Sequence, residues 1–254
     1  MFGANEVRKY NPDATVLQVQ DIWYTLQGEG PFSGHPAIFI RMTGCNLRCT
    51  FCDTKWDDAN DPLNTVDALL GKLKQMSVDH KCRLFVFTGG EPLRQNLSVL
   101  WERLFDTFGE FIKIQVETAG TLWPAEMADV LTDDRITIVC SPKTHKIHPE
   151  ILKRADVFKY VVRAGLSDRN DGLPIFKTQA GLKREAFISD SAGITTEPIE
   201  YRVARPRDGA PVIVMPCDDQ DVKKNHDNMK EVARVALKHG YIAQLQAHKF
   251  FDVP

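Results

Sequence analysis

Three cysteines stand close together in the chain, at a spacing suited to metal chemistry. Cys45, Cys49 and Cys52 form the pattern C-x3-C-x2-C, and the other three cysteines are scattered. Three thiolates on one short loop can hold three corners of an iron–sulfur cube, which leaves the fourth iron open as a catalytic site requires. A zinc site would need a fourth ligand, and the nearest histidine, His35, lies ten residues upstream. A mixed zinc site and chance clustering remain the alternatives.

The elements that must position this loop follow from hydrophobic patterning. Helical patterns begin at the candidate N-cap Thr65, run over 97–108, and run over 229–237 before Gly240. Between them lie apolar runs typical of strands buried on both faces. The alternation predicts a parallel sheet, open or curled into a barrel. The cysteines follow the first run and so lie at a strand's carboxyl end, where active sites of such folds gather. The runs are 37–42, 82–87, 113–118, 136–141, 157–162, 211–216 and 241–246.

Composition and charge exclude several classes of protein. The 254 residues are 43% hydrophobic and 26% charged, an ordinary globular balance. The formal net charge is −2 and no basic block occurs, so a nucleic-acid binder is not expected. Apolar runs such as Leu84 to Phe87 are far too short to span a membrane, and residues 1–16 lack the apolar core of a signal peptide. Neither a membrane nor a nucleic acid is therefore expected as a partner.

Length and one polar stretch set the predicted domain organisation. The chain is too short for a full eight-unit barrel with additions. We expect one domain over residues 1–254, with an N-terminal extension over 1–30 that comprises a strand and a glycine-rich loop. Residues 165–208 are polar, have little clear period and separate two strand candidates by far more than a usual connection. This stretch predicts an insertion or lid.

The cysteine spacing resembles the cluster motif of the radical S-adenosylmethionine (radical SAM) superfamily, and Phe51 before the last cysteine fits that motif. Thr88-Gly89-Gly90-Glu91-Pro92 resembles the glycine-rich motif whose backbone carbonyls approach the ammonium of S-adenosylmethionine, since no Cβ intervenes. Ser141-Pro142-Lys143 offers a hydroxyl and a cation to the same cofactor. Taken alone, each of these two segments would be an ordinary turn. The resemblance implies an α/β fold, a partial (β/α)6-type radical SAM barrel with a modified core.

Five blocks, in the same order along the chain, resemble the family of 7-carboxy-7-deazaguanine synthases within that superfamily. They are Leu26 to Gly30, Gly34 to Arg41, Gly44 to Thr54, Glu117 to Thr121 and Gln246 to Phe250. The resemblance covers most of the chain but not residues 165–208. It implies a lyase of queuosine and 7-deazapurine biosynthesis, which converts 6-carboxy-5,6,7,8-tetrahydropterin to 7-carboxy-7-deazaguanine with loss of ammonia. A 5′-deoxyadenosyl radical would abstract hydrogen from C6 of the substrate, and the cofactor would carry this chemistry.

The resemblance also implies the cofactors and their ligands. Cys45, Cys49 and Cys52 would hold a [4Fe-4S] cluster. The hydroxyl of Thr54 would bind Mg²⁺, and oxygen atoms of the substrate and of water would complete the octahedral coordination of this ion. A turn hydroxyl is the alternative for Thr54, and a plain strand end is the alternative for 215–218, where many relatives have Gln in place of Met215. The expected S-adenosylmethionine site comprises Phe51, Cys52, Asp53, Gly89, Gly90, Glu91, Gly120, Ser141, Pro142, Lys143, Met215, Pro216, Cys217 and Asp218.

Substrate contacts follow from the same motifs. Arg41 suits the substrate carboxylate because its planar guanidinium pairs carboxylates bidentately, although an internal ion pair would also explain it. The amide of Gln27 suits the donor–acceptor edge of a pterin. His248 could equally be structural, and the terminal carboxylate of Pro254 could fray. The full expected set is Leu26, Gln27, Gly28, Glu29, Arg41, Thr118, His248 and Pro254.

Rival functions stay open at this point. A glycyl-radical activase shares the cysteine spacing but would have to admit a large protein loop, and it lacks the Leu26 to Gly30 block. A non-enzymatic iron–sulfur carrier needs four protein ligands, and no fourth cysteine lies nearby. A zinc-stabilised binding module is the third alternative. An exposed cluster with an open iron would need a reducing environment, so we expect the protein in the cytosol. The radical chemistry implies an electron donor of the flavodoxin or ferredoxin type. The family resemblance implies a homodimer.

Overall fold

Seven parallel strands form most of a single nine-stranded sheet. The computed structural model describes residues 6–49, 52, 54, 63–177 and 200–253. The strand order is β11-β10-β7-β6-β5-β4-β2-β1-β3, and every pairing from β2 to β11 is parallel. The strands are β1 (Val16–Leu26), β2 (Pro36–Met42), β3 (Leu63–Thr65), β4 (Leu84–Gly89), β5 (Lys113–Thr118), β6 (Ile136–Cys140), β7 (Val157–Val162), β10 (Val212–Pro216) and β11 (Ile242–Ala243).

Each of the seven predicted apolar runs overlaps a strand of this sheet, as the sequence predicted. The N-terminal segment contributes β1, which pairs antiparallel with β2 and with β3 before the glycine-rich loop begins. That loop crosses to the far edge of the sheet. The backbone N–H of Gly30 donates to Oε1 of Gln244, just after β11, and Nε2 of Gln244 donates back to the Gly30 carbonyl. The sheet is therefore curled into a partial barrel rather than open.

The three predicted helices pack on the sheet, and three shorter helices were not predicted. The helices are α1 (Val66–Asp79), α2 (Ser98–Phe108), α3 (Ala128–Leu131), α4 (Pro149–Arg154), α5 (Val222–His239) and α6 (Ala247–Phe251), of which α1, α2 and α5 correspond to the predicted patterns. Thr65 caps α1 by accepting from the N–H of Ala68, as predicted, and Gly240 ends α5 at φ 74° in the left-handed region. In α5, Val235 is buried, whereas Leu237, at the end of the predicted pattern 229–237, is 88% exposed.

The core lies between the outer helices and the strands. On β4, Phe85 and Phe87 are fully buried and pack on Phe108 and Trp101 of α2, with ring centroids 5.7 and 5.3 Å apart. Burial of this apolar face holds the strands rigidly in register, and the opposite face points into the barrel. No helix in the described ranges is long and apolar enough to cross a membrane.

The polar stretch after β7 carries a small separate sheet. Two short strands, β8 (Ile175–Lys177) and β9 (Glu200–Arg202), pair antiparallel outside the main sheet. Arg205 fastens the base of this pair through Asp171, at 2.7 Å, and Arg202 meets Asp168 at 2.6 Å. Residues 178–199 lie outside the described residues. An insertion at 165–208 within one domain stays a prediction.

Candidate active site

The cysteine loop leaves the carboxyl end of β2 and is fixed from several sides. The N-terminal segment pairs with it, because the N–H of Arg8 donates to the Cys45 carbonyl at 2.8 Å. The Asn46 side chain donates to the hydroxyl of Thr121, at 2.8 Å, which ties the loop to the segment after β5. The N–H of Cys52 donates to the carbonyl of Cys49, so the last two cysteines share one turn. The predicted triplet therefore lies at the edge of the sheet where the strands end.

The three thiols of the cysteine loop are partly buried. Burial raises the pKa of Cys45 to about 12 and that of Cys49 to about 11. Thiols with such pKa values need a bound cation to become thiolates. Three thiolates on one loop are the ligand set that a [4Fe-4S] cluster with one open iron would use. Phe51 and Asp53 lie outside the described residues, and Thr54 follows with its carbonyl 3.3 Å from Sγ of Cys52.

The glycine-rich segment after β4 packs directly against the cysteine loop. Gly90 donates to the Met42 carbonyl and Glu91 donates to the Gly44 carbonyl, at 3.0 and 2.9 Å. A Cβ on Gly90 would overlap the carbonyl oxygen of Gly44, so only glycine allows the two backbones to approach this closely. At Gly89, φ is 113°, which also favours glycine. The predicted cofactor motif and the cysteine loop thus form one continuous surface.

The Glu91 carboxylate is occupied by protein partners. It is fully buried and accepts from the hydroxyl of Thr118 at 2.7 Å, from Ala119 N–H at 2.8 Å and from Leu93 N–H at 3.1 Å. Burial raises the pKa of this carboxyl, and the three donors act in the opposite direction. The hydroxyl of Thr118 in turn accepts from Gly120 N–H. Glu91 therefore ties the segments after β4 and β5 together, and Thr118 points toward it.

The predicted residues that follow β5 and β6 line the same edge. Gly120 has φ 78°, and a Cβ there would meet Sγ of Cys140 at 2.6 Å. The Ser141 N–H donates to the Thr118 carbonyl, and the Lys143 ammonium donates to the Ser141 hydroxyl, both at 2.7 Å. The Lys143 charge also acts on the Cys49 thiol and favours its ionised form. Ser141, Pro142 and Lys143, which follow β6, thus lie at the same edge of the sheet as the cysteine loop.

The residues that follow β10 reach the last helix. Met215 is buried, and Pro216 pairs with Val162 on β7. The Arg163 guanidinium donates to Sγ of Cys217 at 3.3 Å. Asp218 accepts from Gln220 N–H, from the Asn225 side chain and, at 2.5 Å, from Lys249 of α6. The hydrogen bond from Lys249 leads the interactions that lower the pKa of Asp218 to about 2. Both oxygens of Asp218 are thus occupied by the protein.

A polar network lies inside the barrel below this edge. Gln115 and Glu117 lie two residues apart on β5 and share its lumen face. The Glu117 carboxylate accepts hydrogen bonds from the side chains of Gln115, Gln27 and Thr88 at 2.9 to 3.1 Å. Lys159 on β7, only 6% exposed, forms a short ion pair with Glu29 and lies 3.8 Å from Glu117. The glycine-rich loop therefore places Glu29 in the lumen, and Gln27 is held by both Glu117 and the N–H of Glu29.

The chain's last elements meet this loop, although more than two hundred residues separate them. The N–H of Ala247 donates to the Gly28 carbonyl at 3.1 Å, and the Gln246 side chain donates to Glu29 at 2.7 Å. His248 packs so closely on Gly28 that a Cβ there would overlap its Nδ1. Val253 lies beside Leu26 at a shallow cleft. The predicted substrate residues of the loop and tail are therefore brought together, while Pro254 lies outside the described residues.

Arg41 lies on an aromatic surface of the barrel interior. Its guanidinium carbon stands 4.9 Å from the ring centroid of Trp23, and Trp23 stacks on Phe39 at 5.1 Å. Nε of Arg41 is buried without a hydrogen-bond partner in the protein. A guanidinium with an unused donor and a cation–π contact is well placed to bind a carboxylate, and no internal ion pair holds it within the described residues.

Sequence reasoning missed three lumen groups. Thr88 and Glu117 stand inside quoted motifs, but neither was assigned a role, and Lys159 was treated only as part of a strand. A signal was present, because a polar residue within an otherwise apolar, doubly buried strand needs a partner. Lys159 in VFKYVV and Glu117 in KIQVET are such residues.

Comparisons with known proteins agree with this geometry. A family model described as the Radical SAM superfamily matches residues 39–177. The fold, the cysteine loop and this match define a radical SAM enzyme. Among curated relatives, the chain is 39% identical to a 7-carboxy-7-deazaguanine synthase of Rhodospirillum rubrum, with all of both chains covered. It is 34% identical to one of Rickettsia prowazekii, with 100% of this chain and 96% of the relative covered.

One solved structure shows the same fold. The crystal structure of QueE from Escherichia coli superposes with a TM-score of 0.62 over 92% of this chain and 95% of that chain, at 22% identity. This likeness supports the partial barrel predicted from the sequence. With the identities of its relatives over their whole lengths, the chain belongs to the family of 7-carboxy-7-deazaguanine synthases.

Proposed function

We propose that the protein converts 6-carboxy-5,6,7,8-tetrahydropterin to 7-carboxy-7-deazaguanine with loss of ammonia. The observation that carries the proposal is the meeting of the Leu26 to Gly30 loop, the Gln246 to His248 tail and the lumen carboxylates beside the cysteine loop. These residues form a polar group on the lumen side of the sheet, which we call the chamber. The tail packs directly on Gly28 and Glu29, which argues against the activase alternative, because an activase must admit a large loop of its partner.

The donor set fits the cofactors of the superfamily. Cys45, Cys49 and Cys52 would hold a [4Fe-4S] cluster, and Thr54 would bind Mg²⁺ together with substrate and water. With S-adenosylmethionine also bound, these groups would supply the radical chemistry of the superfamily, here the removal of hydrogen from C6 of the pterin. The S-adenosylmethionine surface would comprise the segments after β4, β5, β6 and β10, together with Phe51 and Asp53. In this proposal Glu91 contributes through the backbone of its segment, because its side chain is used internally.

The remaining residues bind and orient the substrate. Arg41 pairs with the pterin carboxylate, for which its buried Nε is available. Gln27, Glu29 and His248 offer acceptors and donors to the ring edge, and Leu26, Gly28 and the Pro254 terminus complete the enclosure. Thr88 points into the lumen, whereas the Thr118 hydroxyl points at Glu91, so Thr88 is the better placed of the two hydroxyls. A closed polar chamber holds the pterin in one orientation and excludes water from the radical.

The proposal also covers the electron donor, the cellular compartment and the oligomeric state. The cluster requires one electron at low potential, so a flavodoxin or ferredoxin-type protein is proposed as the donor, and the reducing cytosol is proposed as the compartment. A homodimer is proposed from the family resemblance alone.

An anaerobic turnover assay tests the proposal. Reconstituted protein with dithionite, S-adenosylmethionine, Mg²⁺ and 6-carboxy-5,6,7,8-tetrahydropterin should yield 7-carboxy-7-deazaguanine, detected by mass spectrometry. Cys49→Ala should abolish the product, whereas Cys82→Ala, a buried thiol outside the loop, should retain it. Cleavage of S-adenosylmethionine by the wild type without this product would refute the substrate assignment while leaving the superfamily intact.

A further inference from the structure

We propose that Lys159 is a positioning residue for substrate binding, because its ammonium holds Glu29 in an ion pair and so joins the glycine-rich loop to the barrel wall. The inference rests on the proposed function, since it concerns the pterin site. Lys159 itself lies below the loop, so it acts on the substrate through Glu29.

The geometry makes Lys159 the central cation of the chamber. It projects from β7, forms an ion pair with Glu29 on the loop and lies 3.8 Å from Glu117 on β5. Both carboxylate side chains are only 17% exposed. Glu29 holds the tail in turn, through Gln246 at 2.7 Å. One buried ammonium therefore joins three separate parts of the chamber.

The charges show why the chamber depends on this cation. Burial opposes ionisation of Glu29, but the charge of Lys159 and hydrogen bonds from Lys159 and Gln246 outweigh it, so that the pKa of Glu29 lies well below its ordinary value. The charge of His248 acts in the same direction from α6. Glu117 faces the same ammonium from β5, at 3.8 Å. Without Lys159, both carboxylates would remain buried and would lose this shared cation, so the pKa of Glu29 would rise.

A merely structural ion pair would behave differently. If Lys159 served only to stabilise the barrel, its removal would lower the melting temperature and leave the substrate affinity of the folded fraction unchanged. If it positions Glu29, its removal weakens substrate binding in a way that depends on pH. The second behaviour is the one we expect.

The test compares Lys159→Met with Lys153→Met, which removes an exposed lysine from α4 and serves as the matched control. Steady-state turnover of cluster-loaded protein should show KM for the pterin raised about tenfold in Lys159→Met, equivalent to about 1.4 kcal/mol. The change in kcat should be much smaller. The ratio of variant to wild-type KM should grow as the pH falls from about 8 to about 6, because Glu29 then takes up a proton. Lys153→Met should match the wild type.

Two further measurements distinguish a positioning role of Lys159 from a purely structural one. Lys159→Arg keeps the charge and should restore a wild-type pH dependence, even if its larger group alters KM. Hydrogen exchange on the unloaded protein should show faster exchange over residues 244–252 in Lys159→Met, which does not require activity. A Lys159→Met protein whose KM follows the wild type at every pH, with unchanged exchange in the tail, would overturn the inference. A wild-type protein that makes no product would instead refute the proposed function.

Discussion

A single methyl group added at Gly28 should damage catalysis by displacing the tail. A Cβ there would overlap Nδ1 of His248 and stand 3.0 Å from its Cγ, where ordinary contact begins at 3.4 Å. The His248 ring would have to retreat by roughly 1 Å or more, and its backbone neighbour Ala247 is hydrogen bonded to Gly28 itself. A misplacement of this size typically costs about a hundredfold in rate. We therefore expect Gly28→Ala to lower kcat/KM for the pterin between about tenfold and about a hundredfold.

Stability measurements separate this effect from misfolding. The His248 ring lies at the end of the chain, so Gly28→Ala should lower the free energy of unfolding by less than about 1 kcal/mol. Gly71→Ala is the matched control, because Gly71 lies inside α1 with no atom near its Cβ position. That change should stabilise the protein by about 0.5–1 kcal/mol and leave kcat/KM unchanged.

The double variant completes the test. If the clash with His248 is the whole cause, Gly28→Ala combined with His248→Ala should be no worse than His248→Ala alone, since the two effects then share one origin. A kcat/KM for Gly28→Ala within about twofold of the wild type would refute the reasoning, because the tail could then shift without consequence.

Three other outcomes follow from the geometry. Glu91→Gln places an amide among three donors, so it should lower the free energy of unfolding by about 1–3 kcal/mol, measured by denaturant titration. Cys49→Ala should lose most of its iron after anaerobic reconstitution, whereas Cys82→Ala should keep its iron, and equal iron contents would contradict the cluster assignment. Lys249→Met should make α6 more sensitive to limited endoproteolysis, and the unfolding free energy should change by only about 0–1 kcal/mol, because the pair of Lys249 with Asp218 is solvent-exposed. Unchanged proteolysis would show that the pair does not hold the tail.

Several parts of the fold were predictable because burial dictates their sequence. Strands β5 and β7 coincide with the runs 113–118 and 157–162, because their outward faces are apolar and buried under the helices. Their lumen faces carry Gln115, Glu117 and Lys159, which the idea of a strand that is apolar on both faces did not anticipate. The run 241–246 predicted a longer strand than β11, which ends at Ala243, because Gln244 and Gln246 turn their side chains to the glycine-rich loop.

Other features left little trace in the pattern. Helices α3 and α4 span four and six residues, too few to show a helical period. The β8 and β9 pair lies in a polar stretch without alternation. In the site, motif matching brought the correct segments together but could not tell which way each side chain points. Thr118 turns outward to Glu91, while Thr88 turns inward, and only the register of neighbouring strands decides this.

The joining of Gly28 and Gly30 to residues after β11 also bears on the order of synthesis. The cysteine loop and its neighbours lie on β2 and β4, which leave the ribosome long before β11 and α6 do. The glycine-rich loop therefore gains these partners only after β11 and α6 have been made, although the loop itself is among the first parts of the chain to be synthesised. The cysteine loop and the segment after β4 can pack against each other earlier, because both are made before β5.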